Sequence, residues 1–491
     1  MALKTGKEYV QSLKEMNPHP TVYLFGEKMQ DLYDHPMVKP AQNAVALTYD
    51  LAHDPLYEDL MTARSHLTGQ KVNRFCHIYQ SRDDLVRKVK MFRLLGQMTA
   101  TCFQRCTNSD GGNIMYLATY EVDQKFGTKY HERFKKFFQH LQENDLIAGI
   151  AMTDVKGDRS LKPSEQADPD LYLHVVEEKK DGIVVRGAKA HQTGALNCHY
   201  TVAMPTRAMG PEDKDYAVAF SVPMSSPGLI HIYGRQFSDT RKMEGGSIDT
   251  GNPLYGMQET LLIFDNVFVP WENVYLYKEH EFAERISGLL GSHHRCSYGG
   301  CKTGVSDVLI GATALLAQYN GVAKAAHVRS KITEMITLAE TLYGCGLASA
   351  YEGYPTPAGN YMNNFLLANV CKLNVARITN QIGQLALDIA GGLVTTLPSE
   401  KDFRSPEVGK YLEKYLKGVK GVPTENRVRL FRLIEHLMFG SGAGGYIVES
   451  IHGAGSPEAQ KTMIPRESNL SHKISLAKNI AGIKEKEAGS I

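Results

Sequence analysis

Residues 83–106 read "DDLVRKVKMFRLLGQMTATCFQRC", with Leu85, Val89, Phe92, Leu95, Met98 and Thr99 recurring at spacings of three and four. That period predicts an amphipathic helix with one buried face. Asp83 and Asp84 sit at its start, where the helix dipole favours negative charge. A second helix is predicted near 131–145 ("HERFKKFFQHLQEND"). The pattern then changes. "LYLHVVEEKKDGIVVRGAKAH", "YAVAFSVPM", "GLIHIYG" and "ETLLIFDNVFVP" are short, β-branched or aromatic, and punctuated by Asp-Gly and Pro, which predicts antiparallel strands from about 146 to 276. From about 280 the helical period returns. Residues 305–353 hold two or more long helices, 363–392 another stopped by Gly391 and Gly392, and 424–455 a further one. Long helices with short connections predict a bundle. The expected organisation is α+β: an N-terminal helical domain (1–145), a middle antiparallel β domain (146–278) and a C-terminal helical bundle (279–491). No internal repeat interrupts it, and the lysine-rich end, "KNIAGIKEKEAGS", reads as a frayed, solvated tail.

Composition narrows the class of protein. The 491 residues are 43% hydrophobic and 22% charged, as in an ordinary globular chain. A formal net charge of +2 argues against a nucleic-acid binder. No run approaches roughly 18 consecutive apolar residues, so no membrane span is expected. The polar start, "MALKTGKEYVQSLKEMN", lacks the apolar core of a signal peptide, which makes the cytoplasm the expected location. There the eight cysteines are not expected to form a disulfide framework.

Several stretches carry candidate chemistry. Residues 293–302, "HHRCSYGGCK", collect two histidines, two cysteines, a tyrosine and a lysine around a double glycine, but no C-x-x-C spacing. Cys102 and Cys106 are four apart on the predicted 83–106 helix, hence one turn apart on one face. They are either a continuation of the apolar stripe or a ligand pair that needs further thiolate or imidazole ligands. "AMTDVKGDR" (151–159) and "RGAKAHQTGALN" (186–197) suit a cofactor ring or diphosphate, and equally read as polar β-turns. No G-x-G-x-x-G follows a strand, so a Rossmann site is not indicated. Glu259 and Glu449 stand in apolar, glycine-containing surroundings, where a solvated or an acid–base role is open. "GSGAGG" and "HGAGSP" lack the Gly-Lys-Ser/Thr of a phosphate loop and read as helix contacts or caps.

The helix–β–helix order, with the exit "LIFDNVFVPWENVYL", resembles the acyl-CoA dehydrogenase superfamily. Within it, "GQMTATCFQRC", "AMTDVKGDR", "RGAKAHQTG", "HRCSYGGCK", "AGNYMNNFLLANVCK", "DIAGGLVTTLPSE" and "ESIHGAGSP" resemble the 4-hydroxybutyryl-CoA dehydratase family over nearly the whole chain. The resemblance implies FAD and a [4Fe-4S] cluster, the latter held by Cys102, Cys106, His294 and Cys301. His293 falls outside that set, and Cys296 stands where a polar residue such as glutamine is expected. It further implies active-site roles for Gln104, Thr193, Glu259, Tyr298, Lys302 and Glu449, beside His294 itself as ligand and base. Flavin contacts are implied at Met152, Thr153, Asp154, Lys156 and Arg159, and at His191, Gln192 and Thr193. Gly299 and Gly300 are expected to let the backbone turn so that Tyr298 and Lys302 face the substrate.

The implied reaction converts 4-hydroxybutyryl-CoA to crotonyl-CoA and water. The hydroxyl leaves C4 and a proton leaves C3, which the thioester does not acidify. The family's answer is radical: C2 deprotonation, one-electron oxidation by FAD, loss of the now acidic C3 proton, departure of the hydroxyl with the cluster iron as Lewis acid, and return of the electron. Isomerisation of vinylacetyl-CoA to crotonyl-CoA and a homotetramer are implied as well. Two other readings stand beside it: a cluster-free enzyme like 4-hydroxyphenylacetate 3-monooxygenase, and a non-catalytic protein holding structural zinc.

Overall fold

The computed structural model describes residues 3–483. The expected solvated tail therefore lies outside the described residues from 484 onward, while its start closes a helix, Leu470–Ile480. The N-terminal region holds α1 (Gly6–Lys14), α2 (Lys39–Asp50), α3 (Arg82–Thr99), α4 (Cys106–Phe126) and α5 (Tyr130–Glu143). It is not wholly helical, because β1 (Thr21–Leu24) and β2 (Glu27–Lys28) leave it to join a sheet.

Two sheets follow, built from β3 (Ala148–Ala151), β4 (His174–Glu178), β5 (Gly182–Thr193), β6 (Tyr200–Ala203), β7 (Val218–Pro223), β8 (Leu229–Tyr233), β9 (Glu259–Pro270) and β10 (Val274–Tyr277). One sheet has six strands in the order β2-β1-β8-β9-β5-β4, the other four in the order β10-β7-β6-β3. The expected all-antiparallel pairing is corrected at two places: β1 runs parallel to β8, and β3 parallel to β6. Parallel neighbours cannot be joined by a hairpin and need a long crossover. For β3 and β6 that crossover is residues 152–199, which contain both loops implied to contact a flavin.

The C-terminal bundle comprises α6 (Ala283–Tyr319), α7 (Ala326–Tyr351), α8 (Phe365–Ala390) and α9 (Thr424–Met438), with short helices after it. Gly391 caps α8 with a positive φ of 77°, as its position predicts. The helix expected over 424–455 is broken. It stops at Met438, resumes as one π turn at Gly444–Val448, and continues as α10 (Glu449–His452). π turns open the hydrogen-bond ladder and gather at functional sites. Among the described residues no helix is long and apolar enough to cross a membrane.

Two more corrections bear on the site. The helix predicted over 83–106 ends at Thr99, where Ala100 turns left-handed (φ 50°) and its amide caps the Gly96 carbonyl. The Thr99 hydroxyl seals the end by donating to Leu95 O at 2.7 Å. Leu85, Val89, Phe92 and Leu95 form the buried face as predicted, but Met98 is 37% exposed. Cys102 therefore lies in a loop, and Cys106 opens α4. The stretch 293–302 is no turn either: it is the middle of α6. Its glycines serve close approach. A Cβ on Gly299 would stand 2.6 Å from Gly346 Cα on α7, and one on Gly300 would stand 2.4 Å from Val89 O on α3. α6 is thus wedged between α3 and α7, backbone against backbone.

Candidate active site

The wedge leaves one face of α6 for chemistry. His294, Tyr298, Cys301 and Lys302 recur at spacings of three and four, so they line two turns of that face. α4 meets them with Cys106 at its first turn, where the N-terminal dipole favours a thiolate. The Ala100–Arg105 loop adds Cys102, whose thiol shares a hydrogen bond with Cys106. That bond and burial raise the Cys106 thiol well above its usual range, and burial, with Glu449 and Cys102 adding to it, pushes Cys301 to about 12. Tyr298 is raised too, by burial first and then by Glu449, Cys301, Cys106 and Cys102. Three thiols from two regions of the chain therefore lie close enough to act on one phenol electrostatically. All eight cysteines are free.

Among the described residues no three His, Cys, Asp or Glu side chains converge on one point as ligands of a single ion. A tetrahedral zinc site requires such convergence. A cubane does not, since each ligand binds a separate iron. The donor set fits a cluster: crowded thiols that resist ionisation alone become thiolates when a cation binds them.

The two histidines of α6 are now distinguishable. His293 is fully buried with both nitrogens engaged, Nδ1 with Asn363 Oδ1 at 2.6 Å and Nε2 with Lys88 Nζ at 3.5 Å. Burial, and Lys88 beside it, lower it to about 3. His294 has only Nδ1 engaged, at 2.6 Å from Asp110 Oδ2, which leaves Nε2 without a hydrogen-bond partner among the described residues. Cys296 is buried on another side of the helix and donates to Gly346 O at 3.5 Å.

Lys302 Nζ lies 2.5 Å from Glu449 Oε2, and it donates to the Gly445 carbonyl in the π turn. Burial alone lowers Lys302, but Glu449, Cys301 and Cys102 outweigh it and hold the ammonium above its usual range. Lys302 and Lys372 stand 5.1 and 5.0 Å from the Tyr298 ring centroid, and the Tyr298 hydroxyl has no hydrogen-bond partner among the described residues. Lys372 anchors the turn after Glu449 by donating to Ser450 O at 2.6 Å. Across from this face, β5 and β9 pair Thr193 with Glu259, and the Thr193 hydroxyl donates to Glu259 Oε1 at 2.7 Å. Burial, against that hydrogen bond and with Glu449 adding to it, raises Glu259 to about 7.

The other implied site residues divide into struts and open groups. Gln104 is buried, and its amide is spent on Ala41 O, Gly256 O and Asn197. It braces the loop that carries Cys102. Asp154 is buried in an ion pair with Lys189 at 2.7 Å, and Gln192 donates to Ala190 O at 2.6 Å. Thr153 O accepts from Ala190 N at 2.8 Å, which ties the Met152–Arg159 loop to β5. Lys156 and His191 are left-handed residues at the loop and at the end of β5 (φ 78° and 59°). Burial and then Arg159 lower Lys156; burial and then Lys156 and His452 lower His191. No carboxylate lies within salt-bridge distance of Lys156, Arg159 or His191 among the described residues, so this corner suits an anion such as a diphosphate. Sequence reasoning missed Lys88, Asp110, Ser297 and Lys372. Asp110 had one visible sign: "TNSDGGN" is a polar run inside a helix, and all of Asn108, Ser109, Asp110 and Asn113 are buried.

Models of the 4-hydroxyphenylacetate 3-hydroxylase N-terminal and C-terminal regions match residues 5–276 and 283–482. The 4-hydroxybutyryl-CoA dehydratase/vinylacetyl-CoA-Δ-isomerase of Clostridium aminobutyricum is 54% identical, with 98% of this chain and 100% of that one covered. An oxygen-tolerant archaeal 4-hydroxybutyryl-CoA dehydratase from N. maritimus superposes with a TM-score of 0.96 at 50% identity, covering 99% of this chain and 96% of that one. The oxygenase component of 4-hydroxyphenylacetate 3-monooxygenase, solved with FAD, superposes at 0.83 with 26% identity, covering 97% and 99%. The chain belongs to the 4-hydroxyphenylacetate 3-hydroxylase family, on the branch of the 4-hydroxybutyryl-CoA dehydratases.

Proposed function

We propose that the protein dehydrates 4-hydroxybutyryl-CoA to crotonyl-CoA and isomerises vinylacetyl-CoA to the same product, using FAD and a [4Fe-4S] cluster. The observation that carries this is the meeting of Cys102, Cys106, Cys301 and His294 on one wall with the Lys302–Glu449 pair and Tyr298. Those four residues would hold the cluster. Met152–Arg159 and His191–Thr193 would hold the flavin, as the FAD-bound relative and the Lys156 ammonium, with no salt-bridge partner among the described residues, support. When bound, the flavin supplies one-electron chemistry and the cluster supplies a Lewis acid for the leaving hydroxyl.

The protein's own part is proton handling and placement. The Tyr298 phenol stays protonated, with a free hydroxyl to donate toward a substrate oxygen. Glu259, at about 7, is poised to take or return a proton at neutral pH. Glu449 is fixed by Lys302 beside it, and Lys302 offsets the negative charge that three thiolates bring. His294 would be a ligand of the cluster, and its Nε2, with no hydrogen-bond partner among the described residues, is also able to accept a proton. Thr193 and Gln104 act as positioning residues. The working form is a homotetramer in the cytoplasm.

Anaerobic purification followed by iron, acid-labile sulfide and flavin analysis tests the reading, together with an assay for crotonyl-CoA from 4-hydroxybutyryl-CoA. About four irons and four sulfides per chain are expected. Zinc without sulfide, or flavin without iron, overturns it.

A further inference from the structure

Behind His294 lies a charged network that none of the proposed roles uses. Asp110 is fully buried on α4, one turn after Cys106. Its carboxylate meets Lys88 Nζ at 2.5 Å, His294 Nδ1 at 2.6 Å and Ser297 Oγ at 2.9 Å, with His293 Nε2 at 3.7 Å. Lys88, from α3, is fully buried as well. Lys88, His294 and Ser297 each aim a donor at this acceptor-only carboxylate, whereas His293 Nε2 accepts from Lys88 and gives Asp110 no hydrogen bond. A carboxylate paired with a buried ammonium accepts hydrogen bonds and cannot give one. Nδ1 of His294 must therefore carry the proton, and the lone pair lies on Nε2, the nitrogen with no protein partner. The edge of the Tyr298 ring, with centroids 5.2 Å apart and planes at 80°, limits rotation of the imidazole from the other side.

We infer that Asp110 is a positioning residue for the cluster: it fixes the tautomer and ring plane of His294 so that Nε2 is presented as the ligand, while Lys88 neutralises it. The inference rests on the proposed function, since it gives a reason for the ligand atom. It also explains why the pair of adjacent histidines yields one candidate ligand. Lys88 occupies Nε2 of His293, and Asp110 leaves Nε2 of His294 open. Carboxylates that orient metal-bound histidines are typically worth 10–100-fold in metal affinity or activity.

The test uses the anaerobic holoenzyme. In wild-type protein with ¹⁵N-labelled histidine, pulsed EPR of the reduced cluster should find one directly coupled nitrogen and a remote nitrogen bearing an exchangeable proton, lost in D₂O. Asp110→Asn should lose iron to a chelator 10–100-fold faster and change the histidine couplings, and Asp110→Glu should recover part of both. A remote nitrogen without an exchangeable proton overturns the inference, and this arm decides even if Asp110→Asn does not fold. So does an Asp110→Asn protein with wild-type iron retention and couplings. Wild-type protein without iron and sulfide defeats the proposed function and, with it, this inference. Iron-loaded wild type with an indifferent Asp110→Asn defeats this inference alone.

Discussion

Gly299→Ala should destabilise the protein, although alanine is the better helix former. In an open helical position the exchange gains roughly 1 kcal/mol. Gly299 is not open: the new Cβ would stand 2.6 Å from Gly346 Cα, 2.9 Å from Gly346 N and 3.0 Å from Cys371 Sγ. Carbon atoms rest about 3.5–4.0 Å apart. Two of the three obstacles are backbone, so relief requires α6 and α7 to separate rather than a side chain to rotate. Overpacking of this kind costs about 1–3 kcal/mol, and rigid backbone on both sides places Gly299 at the upper end. The net loss is then about 2 kcal/mol. Gly311 is the internal control, because it lies in the same helix with nothing within 4 Å of an added Cβ. Gly311→Ala should keep the full gain of roughly 1 kcal/mol. At about 2–4 °C per kcal/mol for a region of this size, thermal unfolding should place Gly311→Ala about 2–4 °C above wild type and Gly299→Ala about 4–8 °C below. Iron content should fall only in Gly299→Ala, since separation of the helices moves the face that carries His294, Tyr298 and Cys301. A Gly299→Ala protein as stable as Gly311→Ala would refute the wedge.

Glu449→Gln leaves the Lys302 ammonium, 3% exposed, without its counter-charge and should cost about 3–5 kcal/mol in denaturant unfolding. Lys302→Met combined with Glu449→Gln should recover most of it. Glu259 is raised to about 7 from an ordinary 4.5, so the folded protein holds a proton that the unfolded chain has released between those values. Stability should fall by up to about 3 kcal/mol as pH rises through that window, and Glu259→Gln should remove the slope. Thr193→Val deletes the hydrogen bond that favours the charged carboxylate, so the pH–rate limb near 7 should move upward; an unmoved limb would assign it to another group.

The parts of this molecule that periodicity encodes were legible. The strand-rich middle and the long C-terminal helices follow from spacing, and Leu85, Val89, Phe92 and Leu95 are buried as their period requires. What failed was local backbone geometry set by tertiary contacts. Ala100 and Gln104 are left-handed, an unusual conformation for non-glycine residues, and nothing in "TATCFQRC" signals the break they make. The double glycine at 299–300 carried the opposite risk. Its residue type suggests a turn, yet the neighbours that require glycine belong to α3 and α7 and are invisible from the local sequence. The parallel strand pairs escaped for the same reason, since their partners are joined through long crossovers.

The proposed ligand set was legible only through resemblance, and the placement of its members along the chain explains why. Each contributing element gives one of the three cysteines: the Ala100–Arg105 loop gives Cys102, the first turn of α4 gives Cys106, and the middle of α6 gives Cys301. A zinc ribbon shows its ligands in one local spacing because a short turn wraps a single ion. Here the frame is the packing of α3, α4 and α6, which must form before the thiols meet. It follows that the glycines at that packing surface belong to the site as much as the sulfurs do. They touch no reacting atom, yet they set how closely α6, which carries His294 and Cys301, packs against α3 and α7. Substitution there should lower iron content with every ligand intact, a loss that ligand-by-ligand mutagenesis would not find.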